Sequence, residues 1–159
     1  MIKRIKAAMI AFRHPNVLEK EDILTESQTR AKFISLSERE IARAKRGQPL
    51  SLVFVDLDGL KEINDTQGHK KGDEYIKNFG LAVMSIIRPY DVFCRWGGDE
   101  FVLLLSGANS KVSEKVIRRI QDSFPYFSWG VSSWIKGATL ESLLQNADAK
   151  MYQQKQKKK

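Results

Sequence analysis

Apolar residues recur every three or four positions in several blocks of the chain, which is the spacing of helices with one buried face. Short apolar runs rich in Val, Phe and Leu lie between these blocks and are typical of buried strands. The predicted helices cover residues 3–12, 25–46, 60–65, 76–87, 112–120 and 140–151, and the predicted strands cover 50–57, 91–96, 100–105 and 126–134. Because helices and strands interleave around a central hairpin, the pattern predicts a mixed sheet covered by helices, an α+β or α/β sandwich.

Cap and turn residues set the ends of these elements. Thr25 with Gln28 three positions later forms a capping-box pattern, so the second helix is predicted to begin at Thr25 and to stop before Gly47. Gly97 and Gly98 separate the two central strands, and we expect them to supply the positive φ angles of a tight hairpin turn.

The net charge of +8 comes from 27 Lys and Arg against 19 Asp and Glu. Residues 1–18 hold four bases and no acid, and residues 155–159 hold four lysines. The body of the chain is therefore neutral, and we expect no basic groove and no binding of nucleic acid. The helix predicted over residues 3–12 is amphipathic and basic, and fits a peripheral or dimer-contacting helix better than one that docks on a membrane.

The sequence also predicts the cellular compartment. A single cysteine, Cys94, excludes an intrachain disulfide, and two histidines are too few for a zinc cluster. The apolar stretch at residues 7–12 is too short for a signal peptide, and no run is long enough to span a membrane. A cytoplasmic protein is expected.

Two acidic clusters stand where predicted strands end. Asp56 and Asp58 close the strand at residues 50–57, and Asp99 and Glu100 stand in the hairpin. If the strand and the hairpin are neighbours in one sheet, the carboxylates converge at one edge, where oxygen ligands suit Mg²⁺ and a bound phosphate. A single acid of this kind is more often a solvated turn residue, but two clusters around a Gly-Gly turn indicate a possible metal and phosphate site.

The residues of these clusters carry a resemblance to the GGDEF-domain diguanylate cyclases. The matching segments are the run RWGGDEF at residues 95–101, residues 56–65 with Gly68-His69 and Gly72-Asp73, residues 128–131, and residues 147–152 followed by Lys155. The resemblance implies a cyclase domain over residues 19–155, between a basic N-terminal segment at 1–18 and a lysine-rich tail at 156–159. It also implies a five-stranded, mixed but mainly antiparallel sheet similar to the nucleotidyl cyclase and polymerase palm fold.

The resemblance implies an enzyme that joins two GTP molecules into cyclic di-GMP and releases two pyrophosphates. Two Mg²⁺ ions per site, or Mn²⁺ in their place, would be held by Asp56, the Leu57 carbonyl, Asp99 and Glu100. Glu100, Asp99 and Lys61 would carry the chemistry. The residues implied in substrate binding are Gly59, Leu60, Lys61 and Lys155 at the phosphates, Asn64 and Asp73 at the guanine, and Gly97 and Gly98 beside the nucleotide.

Several motif residues have structural alternatives. Asp65 is better explained as a helix cap than as a ligand, and Asp148 as the acceptor of a structural hydrogen bond. Asp22 and Arg95 resemble a family pair that joins the N-terminal segment to the hairpin. Lys155 is otherwise part of a solvated tail.

Arg88 and Asp91 resemble the RxxD motif at which cyclic di-GMP inhibits members of the family. An arginine can pair with a phosphate or a guanine edge, and an aspartate with the opposite guanine edge. The alternative is a helix-ending arginine paired with a strand-starting aspartate.

The chain departs from the family pattern at three places. The entry motif at residues 22–30 lacks its usual Gly-Leu turn and Asn, which puts the N-terminal turn in doubt. Only 26 residues separate Phe101 from Ser128, so we expect a peripheral hairpin to be missing. Lys159 stands where the family has an arginine near the end.

No sensor or receiver domain precedes the predicted cyclase domain in these 159 residues. Because each domain would hold one GTP, we expect a weak or transient homodimer with its two sites facing across a two-fold axis. A module that senses GTP or cyclic di-GMP without catalysis is the alternative function.

Overall fold

The computed structural model describes residues 21–158. The helix predicted over residues 3–12 and the substitution at Lys159 lie outside the described residues. In chain order the elements are α1 (Arg30–Ala44), β1 (Leu50–Leu57), α2 (Leu60–Gln67), α3 (His69–Met84), β2 (Val92–Arg95), β3 (Glu100–Ser106), α4 (Ser110–Ser123), β4 (Phe127–Ser133) and α5 (Leu140–Lys157).

The strands form one sheet in the order β2-β3-β1-β4, and each neighbouring pair is antiparallel. The predicted α+β class, an antiparallel sheet flanked by helices, is confirmed. In the register, Asp56 of β1 lies opposite Glu100 of β3 on one side and opposite Ser128 of β4 on the other. The sheet therefore carries an acidic pair at the end where β1 finishes and β3 begins.

The prediction of five strands is wrong for the part of the chain that the structure describes, which has four strands. Gln28 forms one isolated parallel bridge with Cys94 on the outer edge of β2, and its amide donates to the Phe93 carbonyl at 2.8 Å. A turn precedes Gln28 and α1 begins two residues after it, so the pairing cannot extend into a strand. Between β3 and β4 the short connection forms α4, and no hairpin occurs there.

The sheet is buried on both faces, as the continuous apolar run of β1 predicts. Alternate β1 residues enter separate cores: Leu52 and Phe54 pack beneath α1 and α5, whereas Val53 and Val55 pack beneath α3 and α4. The second core contains tilted and edge-on aromatic rings around Phe79. In residues 21–158, no helix is both long and apolar enough to cross a membrane.

The first described helix begins at Arg30, five residues later than predicted, because Thr25 takes part in a turn instead. Asp22 Oδ1 accepts hydrogen bonds from the amide (2.9 Å) and hydroxyl (2.8 Å) of Thr25, and the Ser27 hydroxyl joins the same network. The N-cap of α1 is Thr29, whose hydroxyl accepts from the Lys32 amide. The turn before α1 is thus stabilised by side-chain hydrogen bonds, including the one from the Thr25 backbone amide to Asp22.

Glu26 has φ = 55°, in the left-handed region where a residue with a Cβ is strained. The family pattern that the segment resembles has glycine at this position, and here a turn forms with glutamate in its place. Glu26→Gly is expected to stabilise the fold by about 1 kcal/mol, because it removes the Cβ strain and the side chain is exposed. Thermal unfolding measures the gain, and Glu26→Ala is the control because it removes the carboxylate and keeps the Cβ. Equal melting temperatures for the two variants would contradict a backbone origin.

Candidate active site

The two acidic clusters converge at one end of the sheet. Asp56 and Glu100 are paired in the β1–β3 register, and the Leu57 amide donates to the Asp99 carbonyl at 2.9 Å. This bond continues the ladder into the hairpin, so the backbone of Asp99 is fixed beside the end of β1. The structure therefore brings together the strand end and the hairpin acids, as the spacing predicts.

Lys155 reaches this acidic end from the last turn of α5, and its Nζ hydrogen-bonds Asp56 Oδ1. Burial raises the pKa of Asp56; Lys155 opposes this shift, while the negative charges of Asp99 and Asp58 add to it. Burial by itself would lower the pKa of Lys155, but the bond to Asp56 and the nearby carboxylates outweigh it, and the pKa is raised. The cluster is electrostatically coupled, with Lys155 held charged among the acids.

The donor atoms at this end are hard oxygens: the carboxylates of Asp56, Asp99 and Glu100, and the Leu57 carbonyl. Within residues 21–158 no three His, Cys, Asp or Glu side chains stand close enough together to hold a metal ion by themselves. Mg²⁺ commonly binds through one or two carboxylates and completes its shell with water and substrate phosphates. The residues present fit a divalent cation that arrives with a phosphate ligand.

The hairpin turn is held by bonds from the Trp96 and Gly97 amides to the Glu100 carbonyl, at 2.8 and 3.1 Å. The expectation of positive φ at Gly97 and Gly98 is wrong, because neither glycine has it. Instead, a Cβ on Gly97 would lie 2.8 Å from Glu100 Oε2, so this glycine makes room for the acid. A Cβ on Gly98 would meet nothing within 4 Å, which leaves open space beside the turn.

Arg95 ties the hairpin to the N-terminal turn. Its guanidinium donates to the Gly98 carbonyl at 2.9 Å and forms an ion pair with Asp22 at 3.3 Å. The structural role expected for the Asp22 and Arg95 pair matches this geometry. The contact fixes the outer side of the turn that carries Asp99.

The turn between β1 and α2 bends at Gly59, which is the N-cap of α2. Its φ of 78° lies in the left-handed region. The Asp58 amide donates to the Tyr126 carbonyl at 3.0 Å. The amides of Leu60 and Lys61 stand in the first helical turn, where amides have no acceptor within the helix. Lys61 is exposed at this helix end. The arrangement can bind an anion through backbone amides and one ammonium group.

Asn64 and Asp73 belong to the two helices that meet at the α2–α3 junction, Asn64 to α2 and Asp73 to α3. A Cβ on Gly72 would lie 1.9 Å from Asn64 Oδ1, so the Asn64 amide rests directly on the backbone of the residue before Asp73. Asp73 itself is exposed. Asp73 is thus next along α3 to the residue that the Asn64 side chain contacts.

Arg88 and Asp91 lie apart from the acidic end, before β2. Asp91 accepts from the Arg88 amide at 3.0 Å and from the Ser106 amide at 3.1 Å, and burial raises the pKa of Asp91. The Arg88 guanidinium donates to the Tyr90 hydroxyl at 2.9 Å. A cavity of about 370 Å³ adjoins both residues, with Gln28 also in its wall.

Three residues at the acidic end were missed from sequence. Lys158 bonds Asp58 Oδ2 at 2.8 Å, the Ser128 hydroxyl donates to Asp58 Oδ1 at 2.9 Å, and the Tyr75 hydroxyl donates to the Asp58 carbonyl at 2.8 Å. Burial, with the Asp58 charge nearby, raises the pKa of Tyr75 to about 12. Helix α5 continues to Lys157, into the segment predicted as a tail. The run of lysines at the end of the sequence does not indicate that Lys158 pairs with Asp58.

Comparison with known proteins gives matches over nearly the whole chain. The family model described as "Diguanylate cyclase, GGDEF domain" matches residues 19–159. Diguanylate cyclase DosC of Escherichia coli is 40% identical over 101 residues, which cover 63% of this chain and 22% of DosC. Diguanylate cyclase DgcS of Shewanella oneidensis is 35% identical over 144 residues, which cover 84% of this chain and 49% of DgcS. The chain therefore spans less than half the length of either relative.

A solved structure extends the likeness to the fold. The GGDEF domain of DgcB from Caulobacter crescentus, solved in complex with cyclic di-GMP, has a TM-score of 0.84 and 23% identity over 92% of this chain and 95% of that chain. The family resemblance drawn from the motifs is confirmed by the matched residues 19–159. The chain belongs to the family of GGDEF domains of diguanylate cyclases.

Proposed function

We propose that the chain is a diguanylate cyclase domain, which condenses two GTP molecules into cyclic di-GMP and two pyrophosphates. The observation that carries the proposal is the convergence of Asp56, Asp99 and Glu100 at one sheet end, beside the open space at Gly98. The relatives DosC and DgcS, which bear the name diguanylate cyclase, support the same reaction.

In the proposed reaction the 3′-hydroxyl of one GTP attacks the α-phosphorus of the other. Glu100 accepts the hydroxyl proton, a new P–O bond forms, and the bond from the α-phosphorus to the oxygen of the leaving pyrophosphate breaks. The same step in the opposite direction closes the ring. Two Mg²⁺ ions, or Mn²⁺ in their place, held by Asp56, the Leu57 carbonyl, Asp99 and Glu100, would polarise the phosphates and stabilise the leaving charge.

The triphosphate is proposed to lie over the start of α2. The amides of Gly59, Leu60 and Lys61 would donate to its phosphate oxygens, and the Lys61 ammonium would add positive charge. Lys155 bonds Asp56, so its charge would lie beside a phosphate bound to a metal ion at Asp56. We therefore assign Lys155 to the substrate site and not to a solvated tail.

Asn64 and Asp73 are proposed to read the guanine. Guanine presents N1–H and its exocyclic amine as adjacent donors, which one carboxylate can accept together. Adenine lacks this pair of donors. Asn64 packs against the backbone of Gly72, the residue that precedes Asp73, which supports a shared base-reading role.

Catalysis is proposed to require a homodimer, because each domain offers one acidic cluster and one guanine site. Both phosphodiester bonds can form only when two GTP molecules lie antiparallel between facing domains. An association that is weak or transient would make activity depend on protein concentration.

Cyclic di-GMP is also proposed to bind at Arg88 and Asp91 and to inhibit the enzyme. The adjoining cavity of about 370 Å³ supports a ligand there. Arg88 would have to leave Tyr90 to pair with a guanine or phosphate. The same cavity favours the second candidate function, a non-catalytic module that senses cyclic di-GMP.

One assay separates these functions. The protein is incubated with GTP and MgCl₂ at low and high protein concentration, and cyclic di-GMP is measured by chromatography. We expect product from GTP, none from ATP or in the presence of EDTA, and a rate per protomer that rises with concentration. Absence of product at high concentration would contradict the cyclase and favour the sensor, and a rate per protomer that is unchanged by dilution would contradict the transient dimer.

A further inference from the structure

Strand β4 is an edge strand of the sheet, and its outer backbone groups bond to side chains of α5. Lys150 Nζ donates to the Val131 carbonyl at 2.8 Å, the Trp129 amide donates to Gln154 Oε1 at 2.6 Å, and Lys158 Nζ donates to the Phe127 carbonyl at 2.6 Å. The three side chains are four positions apart along α5 and its C-cap Lys158, and the three backbone groups are two positions apart along the strand.

This ladder follows from the dimensions of the two elements. Four helical residues rise about 6 Å and two strand residues span about 6.8 Å, so the spacings nearly match for an antiparallel helix and strand. The close approach needed is present, since a Cβ on Gly130 would lie 2.1 Å from the Ala147 carbonyl oxygen of α5. These hydrogen bonds pair outer backbone groups of β4 that would otherwise be unpaired at the edge of the sheet.

The third of these bonds, from Lys158, also contacts the proposed active site. Lys158 Nζ is shared between the Phe127 carbonyl and Asp58 Oδ2, and the other carboxylate oxygen of Asp58 accepts from Ser128. Asp58 is the first residue of the turn whose next three residues are proposed to bind the triphosphate. Through Lys158, the end of α5 is therefore joined to that turn.

We propose that Lys158 is a positioning residue that fixes the turn at residues 58–61 for nucleotide binding. Its effect on catalysis rests on the proposed cyclase function, but its effect on the turn does not. Both members of the ion pair are partly exposed, with 40% of the Lys158 side chain and 30% of the Asp58 side chain accessible. Exposed ion pairs contribute little to global stability. Loss of Lys158 is therefore expected to make the 58–61 turn less ordered and to weaken the binding of GTP, without unfolding the domain.

The test compares Lys158→Met with Lys158→Arg and with Lys157→Met, a matched control at the exposed neighbouring position. For Lys158→Met we expect faster amide hydrogen exchange in the 58–61 turn, a melting temperature close to wild type, and a KM for GTP raised about fivefold with kcat nearly unchanged. Lys158→Arg, which keeps the cation, is expected to restore both exchange and KM, and Lys157→Met to match wild type.

Exchange in the turn that is the same in wild type and Lys158→Met would overturn the proposal, whether or not the protein makes cyclic di-GMP. If the wild type is active, faster exchange with an unchanged KM would also overturn it, as would a loss shared equally by Lys157→Met. If the wild type makes no product from GTP, the cyclase function fails, and the exchange measurement alone decides the role of Lys158.

Discussion

Asp56→Asn is expected to lower the formation of cyclic di-GMP by a factor of at least about 100 while the domain stays folded. Asp56 stands at the end of β1 opposite Glu100, where its carboxylate is proposed to bind the metal. A neutral amide is a poor ligand for a hard dication, and the loss of several kcal/mol of charge stabilisation corresponds to a hundredfold or more in rate. Chromatography of the product at saturating GTP and Mg²⁺ measures the effect.

The fold is expected to tolerate this change, because asparagine has the same shape and its Oδ1 can still accept from Lys155. Asp65→Asn is the matched control, since Asp65 is an exposed acid of the neighbouring helix α2 and takes no part in the proposed chemistry. Its product yield is expected to equal that of wild type. A yield from Asp56→Asn within threefold of wild type would remove Asp56 from the metal site and with it the mechanism proposed here.

The strands could be predicted from sequence because each is a short apolar run between strong breakers. The strand predicted at residues 50–57 matches β1 (Leu50–Leu57) at both ends, since Pro49 and Asp58 interrupt the apolar run there. The convergence of acids could also be predicted, because adjacent antiparallel strands bring the end of one beside the start of the other. The fifth strand is implied only by the resemblance to the family. That resemblance does not show that the connection between β3 and β4 is shorter in this chain, or that the pairing of Gln28 with Cys94 is a single bridge.

Contacts between distant segments could not be predicted from local pattern. The sequence predicts that α1 starts at Thr25, because Thr25 fits the pattern of a cap, but in the structure its hydroxyl bonds Asp22 in a turn held by Arg95 of the hairpin. The sequence predicts that Lys158 belongs to a tail, because lysines in a row indicate solvent exposure, whereas its partner Asp58 lies 100 residues earlier. The Lys158–Asp58 pair is set by packing of α5 on the sheet and the Arg95–Asp22 pair by contact of the hairpin with the N-terminal turn, so no window along the chain contains either pair.

Substitution of Gly130 in β4 is expected to have the largest effect on the free energy of unfolding. Gly130→Ala would place a Cβ 2.1 Å from the Ala147 carbonyl oxygen and 2.4 Å from the Met151 amide nitrogen. Both atoms belong to the backbone of α5, so no side-chain rotation relieves the clash and the helix must move away from the sheet. We expect destabilisation of about 3 kcal/mol, at the upper end for an overpacked core, measured by urea or thermal unfolding.

Gly98→Ala is the matched control for this prediction, since its new Cβ would meet nothing within 4 Å and its φ is not positive. Its free energy of unfolding is expected to stay within about 0.5 kcal/mol of wild type. Because α5 carries Lys155 to Asp56, the shifted helix in Gly130→Ala should also withdraw Lys155 from the acidic end and raise the KM for GTP at temperatures where the variant remains folded. Equal stabilities for the two glycine variants would show that α5 can slide on β4 at little cost, and that contact between helix and strand does not hold Lys155 in place.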